Sequence, residues 1–153
     1  MNEQPLYERN IALEWYQYGL EHHDDSFMRF MMHWIAFNWL YSSEEGEQTE
    51  RQKIKKYYKH NRKMFDKYDP FVYSYIKIFL QSPIFNDLNL NDSFRDYEGV
   101  KQNSVESLLM SIYQVRCNLF HGSKSLRRER DLELVSASAN ILEGYLQVLL
   151  KES

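Results

Sequence analysis

Residues 115–122 read VRCNLFHG, and four of these side chains can do chemistry: Arg116, Cys117, Asn118 and His121. An arginine carries a planar fork that matches two phosphoryl oxygens. A histidine gains and loses a proton near neutral pH. Together they could hold a phosphoryl group and move a proton on it, or do no more than cap a helix end. In the first case the imidazole moves the proton and the guanidinium holds the negative charge. No metal is required, and no metal-ligand spacing, glycine-rich phosphate loop or Ser-His-Asp pattern stands out in the chain. Cys117 and His121 are four apart and share a helix face, as a thiol and its base would. Cys117 falls toward a helix C-terminus, however, the wrong end for lowering a thiol pKa, so it reads as a small buried side chain.

The element that must position these groups is a helix. Val105, Leu108, Leu109, Ile112, Val115 and Leu119 recur at helical spacing, with Ser104 as a start and Gly122 as a stop. Arg116 then falls on the edge of the apolar stripe and His121 in the last turn, where the negative helix end favours the protonated imidazole. Five residues on an ideal helix separate the two directions by about 140°. The pair therefore converges only if the last turn loosens before Gly122, or if a second subunit supplies part of the site.

A second block, Phe30–Tyr41 (FMMHWIAFNWLY), precedes this one. With VRCNLFHG it makes the chain resemble the HEPN superfamily, and within it the Apea-like branch. The resemblance implies a bundle of HEPN type, a homodimer, and a metal-independent endoribonuclease with Arg116 and His121 as the catalytic pair. It also implies a toxin or nucleic-acid-defence role, with an antitoxin or other regulatory protein as partner. The products expected are a 2′,3′-cyclic phosphate and a free 5′-hydroxyl. The alternative within the same fold is an inactive module that binds RNA or protein, or simply dimerises. Many members carry a polar residue directly after the Arg; here Cys117 stands there and the amide is one later, at Asn118. Another branch has a Tyr two after the His, where this chain has Ser123, so regulation through that tyrosine is not expected. Asn118 and Asn38 are the candidate auxiliary groups, Asn38 reading first as a tie between helices because a buried amide needs partners.

The rest of the chain reads as an all-α fold of five or six helices in one domain, residues 1–153. Residues 6–21 form an acidic-faced helix. His22, His23, Asp24 and Asp25 make a connection rather than a metal site, since consecutive residues do not converge on one ion, and Asp25 or Ser26 is the N-cap. Residues 26–42 form a helix apolar nearly all round, with Arg29 and His33 on its one wet strip. A loop follows, then a Thr49–Gln52 capping box and a basic helix to about Tyr68. Its lysines, arginines and interleaved Tyr57, Tyr58 and Phe65 suit either a phosphate backbone with stacked bases or a solvated face over core aromatics. Residues 71–81 read as a short apolar helix, 82–99 as an irregular connection or a pair of short turns, and 128–151 as the last helix. Lys124, Arg127, Arg128 and Arg130 form a basic stretch beside His121, suited to RNA phosphates.

Hydrophobic content of 43% and charged content of 27% are those of an ordinary globular domain. The net charge of −3 argues against a general nucleic-acid binder unless the charge is unevenly spread. One cysteine excludes an internal disulfide and fits a reducing compartment. The polar start MNEQPLYERN is unlike a signal peptide, and His33 and Asn38 break the most apolar run, so the expectation is a cytoplasmic protein with no membrane span and no cofactor.

Overall fold

The computed structural model describes residues 6–46, 49–84, 90–120 and 128–151. Among them every regular element is helical: α1 (Leu6–Glu21), α2 (Ser26–Tyr41), α3 (Glu50–His60), α4 (Arg62–Phe65), α5 (Lys77–Gln81), α6 (Leu90–Lys101), α7 (Val105–Phe120) and α8 (Glu129–Lys151), with 3₁₀ turns at Pro70–Val72 and Ser74–Ile76. The all-α expectation holds, with eight helices rather than five or six; two of them, α4 and α5, are single turns. None of the helices is long and apolar enough to cross a membrane. The residues divide into two compact units, Met1–Pro70 with Ala139–Ser153, and Phe71–Ser138.

The first unit is built on α1 and α2. Asp25 caps α2, its carboxylate accepting from Met28 N at 3.1 Å. The helix behind that cap buries Phe30, Trp34, Phe37, Leu40 and Tyr41. Ring contacts then run from Trp34 to Phe37 (5.6 Å), Phe37 to Tyr57 (6.1 Å), Tyr57 to Phe65 (6.1 Å) and Phe65 to Tyr145 (5.0 Å). These edge-on and tilted pairs are the favoured aromatic geometries, so the core is specified by shape as well as by area. Thr49 and Gln52 form the expected capping box at the start of α3. The basic helix does not run unbroken to Tyr68. At Asn61 the backbone leaves helical geometry, and the Asn61 amide donates to Tyr57 O at 2.9 Å, the local competition that makes Asn a poor helix interior. At the other end, Arg9 donates to Leu149 O at 3.1 Å, a cation on the carbonyls that end α8.

The second unit has an aliphatic core: Ile76, Ile78, Val100, Leu108, Leu109, Ile112, Val115, Leu134 and Val135 are buried, with Phe79 and Met110 among them. Two expectations change here. Residues 71–81 are two 3₁₀ turns and one α-turn rather than a continuous helix; the β-branched and aromatic run that follows Pro70 has low helix propensity. Residues 90–99 of the stretch 82–99 are helical and make up most of α6, whose inward positions include Ser93 and Asp96 beside Val100. Polar residues on the inner face erase the apolar period that would have announced it. The turn into α7 uses Asn103 at φ 61°, a left-handed position that Asn tolerates, and Ser104 caps α7 by accepting from Ser107 N at 3.2 Å.

Candidate functional site

The end of α7 is positioned by its buried ridge, Leu108, Leu109, Ile112 and Val115. That ridge fixes the rotation of the helix and leaves Arg116 half-buried at its edge. The guanidinium lies over the Phe120 ring, 4.3 Å from its centroid, and Phe120 is 52% exposed. A cation over an aromatic face is attracted by the ring's negative charge, which orients the guanidinium, while its Nε is buried. Cys117 is half-buried and its sulfur lies 3.9 Å from Arg116 Nη1, a weak contact. Asn118 turns the other way: it is buried, and its Oδ1 accepts from Gln114 Nε2 at 2.8 Å. Its amide therefore braces α7 internally. His121, Lys124 and Arg127 lie outside the described residues.

Of the remaining basic candidates, Arg128 is exposed. Arg130 is half-buried and donates to the Ser82 hydroxyl and, at 3.2 Å, to Ser82 O. It ties the start of α8 to the segment after α5. Asn38 belongs to the first unit, where its carbonyl accepts from Ser42 N at 2.9 Å as α2 ends.

No family model matches this chain, and neither a curated protein nor a solved structure proves similar to it. The site must be judged from its own residues.

A second polar cluster is one that the sequence reading does not anticipate. Arg29 and His33 do not lie on a wet strip: they are 4% and 0% exposed. Both reach the same carboxylate oxygen, Glu143 Oε1, His33 Nε2 at 3.0 Å and Arg29 Nη1 at 3.5 Å. The Tyr16 ring stacks on the imidazole, with centroids 5.5 Å apart. Gly19 packs against the same ring, where a Cβ would overlap His33 Cε1 and Nδ1. The hydrogen bond from His33 and the nearby Arg29 charge hold the Glu143 carboxyl below its ordinary range, against a burial that would raise it. Burial, and then the Glu143 charge, push the Tyr16 phenol up. Three helices meet in this cluster, but His33 exposes no surface to a substrate. It is a buried tie, and among the described residues no group of His, Cys, Asp and Glu could hold a metal ion.

The aromatic residues of the basic helix also turn inward. Tyr57, Tyr58 and Phe65 are 3%, 9% and 0% exposed, so none of them is a stacking platform for bases.

Proposed function

We propose that the chain is a metal-independent endoribonuclease of HEPN type, acting as a toxin or in nucleic-acid defence, with its chemistry at the C-terminal end of α7. The observation that supports this reading is the stance of Arg116, a half-buried cation lying over a half-exposed ring in the last turn of the helix. In the reaction, the ribose 2′-hydroxyl loses its proton and bonds to phosphorus, and the 5′-oxygen leaves with a proton. His121 carries the proton, and Arg116 holds the developing charge on the phosphoryl oxygens. The products are a 2′,3′-cyclic phosphate and a 5′-hydroxyl. A two-fold dimer completes the site in this proposal, because Arg116 and His121 diverge on an ideal helix.

Purified protein should cut RNA in the presence of chelator. His121→Ala should lose about two to four orders of magnitude in rate, the scale of general acid–base catalysis. Arg116→Lys should fail as well, since a point charge does not replace the fork. An RNA with one 2′-deoxy substitution at the cut position should resist. Cleavage at that position, or its arrest by chelator, sinks the mechanism.

The second reading, a module of the same fold that binds without cutting, is favoured by Asn118 and Arg130, both engaged in bonds within the second unit. On that reading Arg116→Lys changes no rate because there is none.

A further inference from the structure

The inward turn of Tyr57, Tyr58 and Phe65 leaves a surface of a particular kind. Residues 50–67 hold eight of the chain's 19 Lys and Arg and only two of its 22 Asp and Glu. The chain as a whole is at −3, so its positive charge is concentrated here. Lys59, Arg62 and Lys63 lie on the outer side of this region and Lys55 is half-exposed. Lys55 and Lys59 are one turn apart on α3, away from the buried Ile54, Tyr57 and Tyr58. Nearby acceptors are used by other residues: the Glu44 carboxylate takes His60 at 2.7 Å, and the Glu45 backbone carbonyl takes Lys56 at 3.0 Å. Among the described residues Lys55, Lys59 and Lys63 pair with no carboxylate.

We infer that the face formed by Lys55, Lys59, Arg62 and Lys63 binds the phosphate backbone of a nucleic acid, and does so without stacking on its bases. Charge complementarity selects a polyanion, and at physiological salt a surface feels charges within about 8 Å, so the local excess outweighs the net charge of the chain. With the aromatics buried, no contact distinguishes an unpaired base. The denser phosphates of a duplex should then bind at least as well as a single strand.

The test uses the full chain and a DNA duplex of about 20 base pairs, ample for several phosphate contacts. DNA lacks the 2′-hydroxyl, so the proposed cleavage neither consumes it nor bears on the result. Affinity is followed by fluorescence anisotropy as salt is raised, for the duplex and for one of its strands. The duplex should bind no more weakly than the strand. In Lys55→Gln/Lys59→Gln/Lys63→Gln protein the slope of log affinity against log salt should flatten by about 0.9 for each phosphate that is no longer neutralised. Lys→Arg changes at the same positions should keep the slope, and the exposed pair Lys59→Gln/Lys63→Gln should give a graded effect if the triple variant folds poorly. An unchanged slope overturns the inference, as does a strand that binds more tightly than the duplex. Polyglutamate that displaces the duplex at equal charge concentration overturns it too, by assigning the face to an acidic protein segment.

Discussion

Arg29 and Arg116 are both drawn under apolar surface, and the fold treats them differently. Arg29 is 4% exposed and shares the Glu143 carboxylate with a fully buried His33. Arg116 is only half-buried and rests on a ring that is itself half-exposed. The comparison separates two uses of a cation. A guanidinium buried with a carboxylate is fixed, because losing either partner strands a charge away from water. One lying over a half-exposed aromatic face is oriented by that ring and keeps part of its surface in solvent. Perturbed titration often marks functional sites, and here the lowered carboxyl belongs to the enclosed cluster. Burial decides against it: Glu143 is partly exposed, but the Arg29 and His33 side chains it holds are enclosed and tie helices together.

The largest expected effect on stability follows from breaking that tie. Glu143→Ala leaves Arg29 and His33 buried without their carboxylate, which should cost about 3 kcal/mol, the low end for a broken buried pair because Glu143 is itself 28% exposed. Urea unfolding at neutral pH measures it; a loss under about 1 kcal/mol would make the cluster a surface pair in effect. The tie also has a pH signature. Glu143 has a folded pKa below its ordinary 4.5, so the unfolded chain binds the proton more readily. Its contribution is full above the unfolded pKa and diminishes as pH falls through the folded one. The stability difference between the parent protein and Glu143→Gln should therefore shrink as pH is lowered from about 5 to about 3.

Gly19→Ala probes the same cluster from α1. Alanine is the better helix former by about 1 kcal/mol and would stabilise an open position of α1. Here the new methyl meets the His33 ring, which Tyr16 and Glu143 also hold. Overpacking of this kind costs about 1 to 3 kcal/mol, so set against the helix gain a net loss of up to about 2 kcal/mol is expected by thermal unfolding. A gain in melting temperature would mean that the imidazole has room to move.

How far each region is legible in the sequence follows the same division. The helices α7 and α8 are readable because their apolar periods are clean, α2 because it is apolar nearly all round, and caps such as Asp25 and Ser104 are ordinary. The helix α6 is hidden by Ser93 and Asp96 on its inner face, and the break at Asn61 by a lysine-rich run that reads as continuous helix. The Arg29–His33–Glu143 cluster escapes the sequence because its acid lies over a hundred residues from its bases, beyond any local pattern. A signal is present all the same. A helix apolar nearly all round has no wet strip, so its few polar side chains must be buried and paired. Arg116 is legible as an edge position because the stripe Val105 to Leu119 counts out its angle; the inward turn of Asn118 toward Gln114 is not, since only packing decides which amide is enclosed.

The smallest expected effect lies at the end of α7. Arg116→Ala removes the guanidinium from the Phe120 ring and uncovers more of an already exposed aromatic. A cation–π contact at a partly exposed site contributes about 0.5 to 1 kcal/mol, and the aliphatic stem adds some packing. The core ridge of α7, Leu108 to Val115, is untouched by the change. Unfolding should therefore shift by no more than about 1 kcal/mol, well under the loss at Glu143, while cleavage of RNA falls by orders of magnitude. The two readouts must be taken on the same preparation, with circular dichroism to confirm that α7 is intact. A loss of stability as large as that of Glu143→Ala would put Arg116 in the class of Arg29, a cation held for the fold, and the proposed chemistry at the end of α7 would lose its principal support.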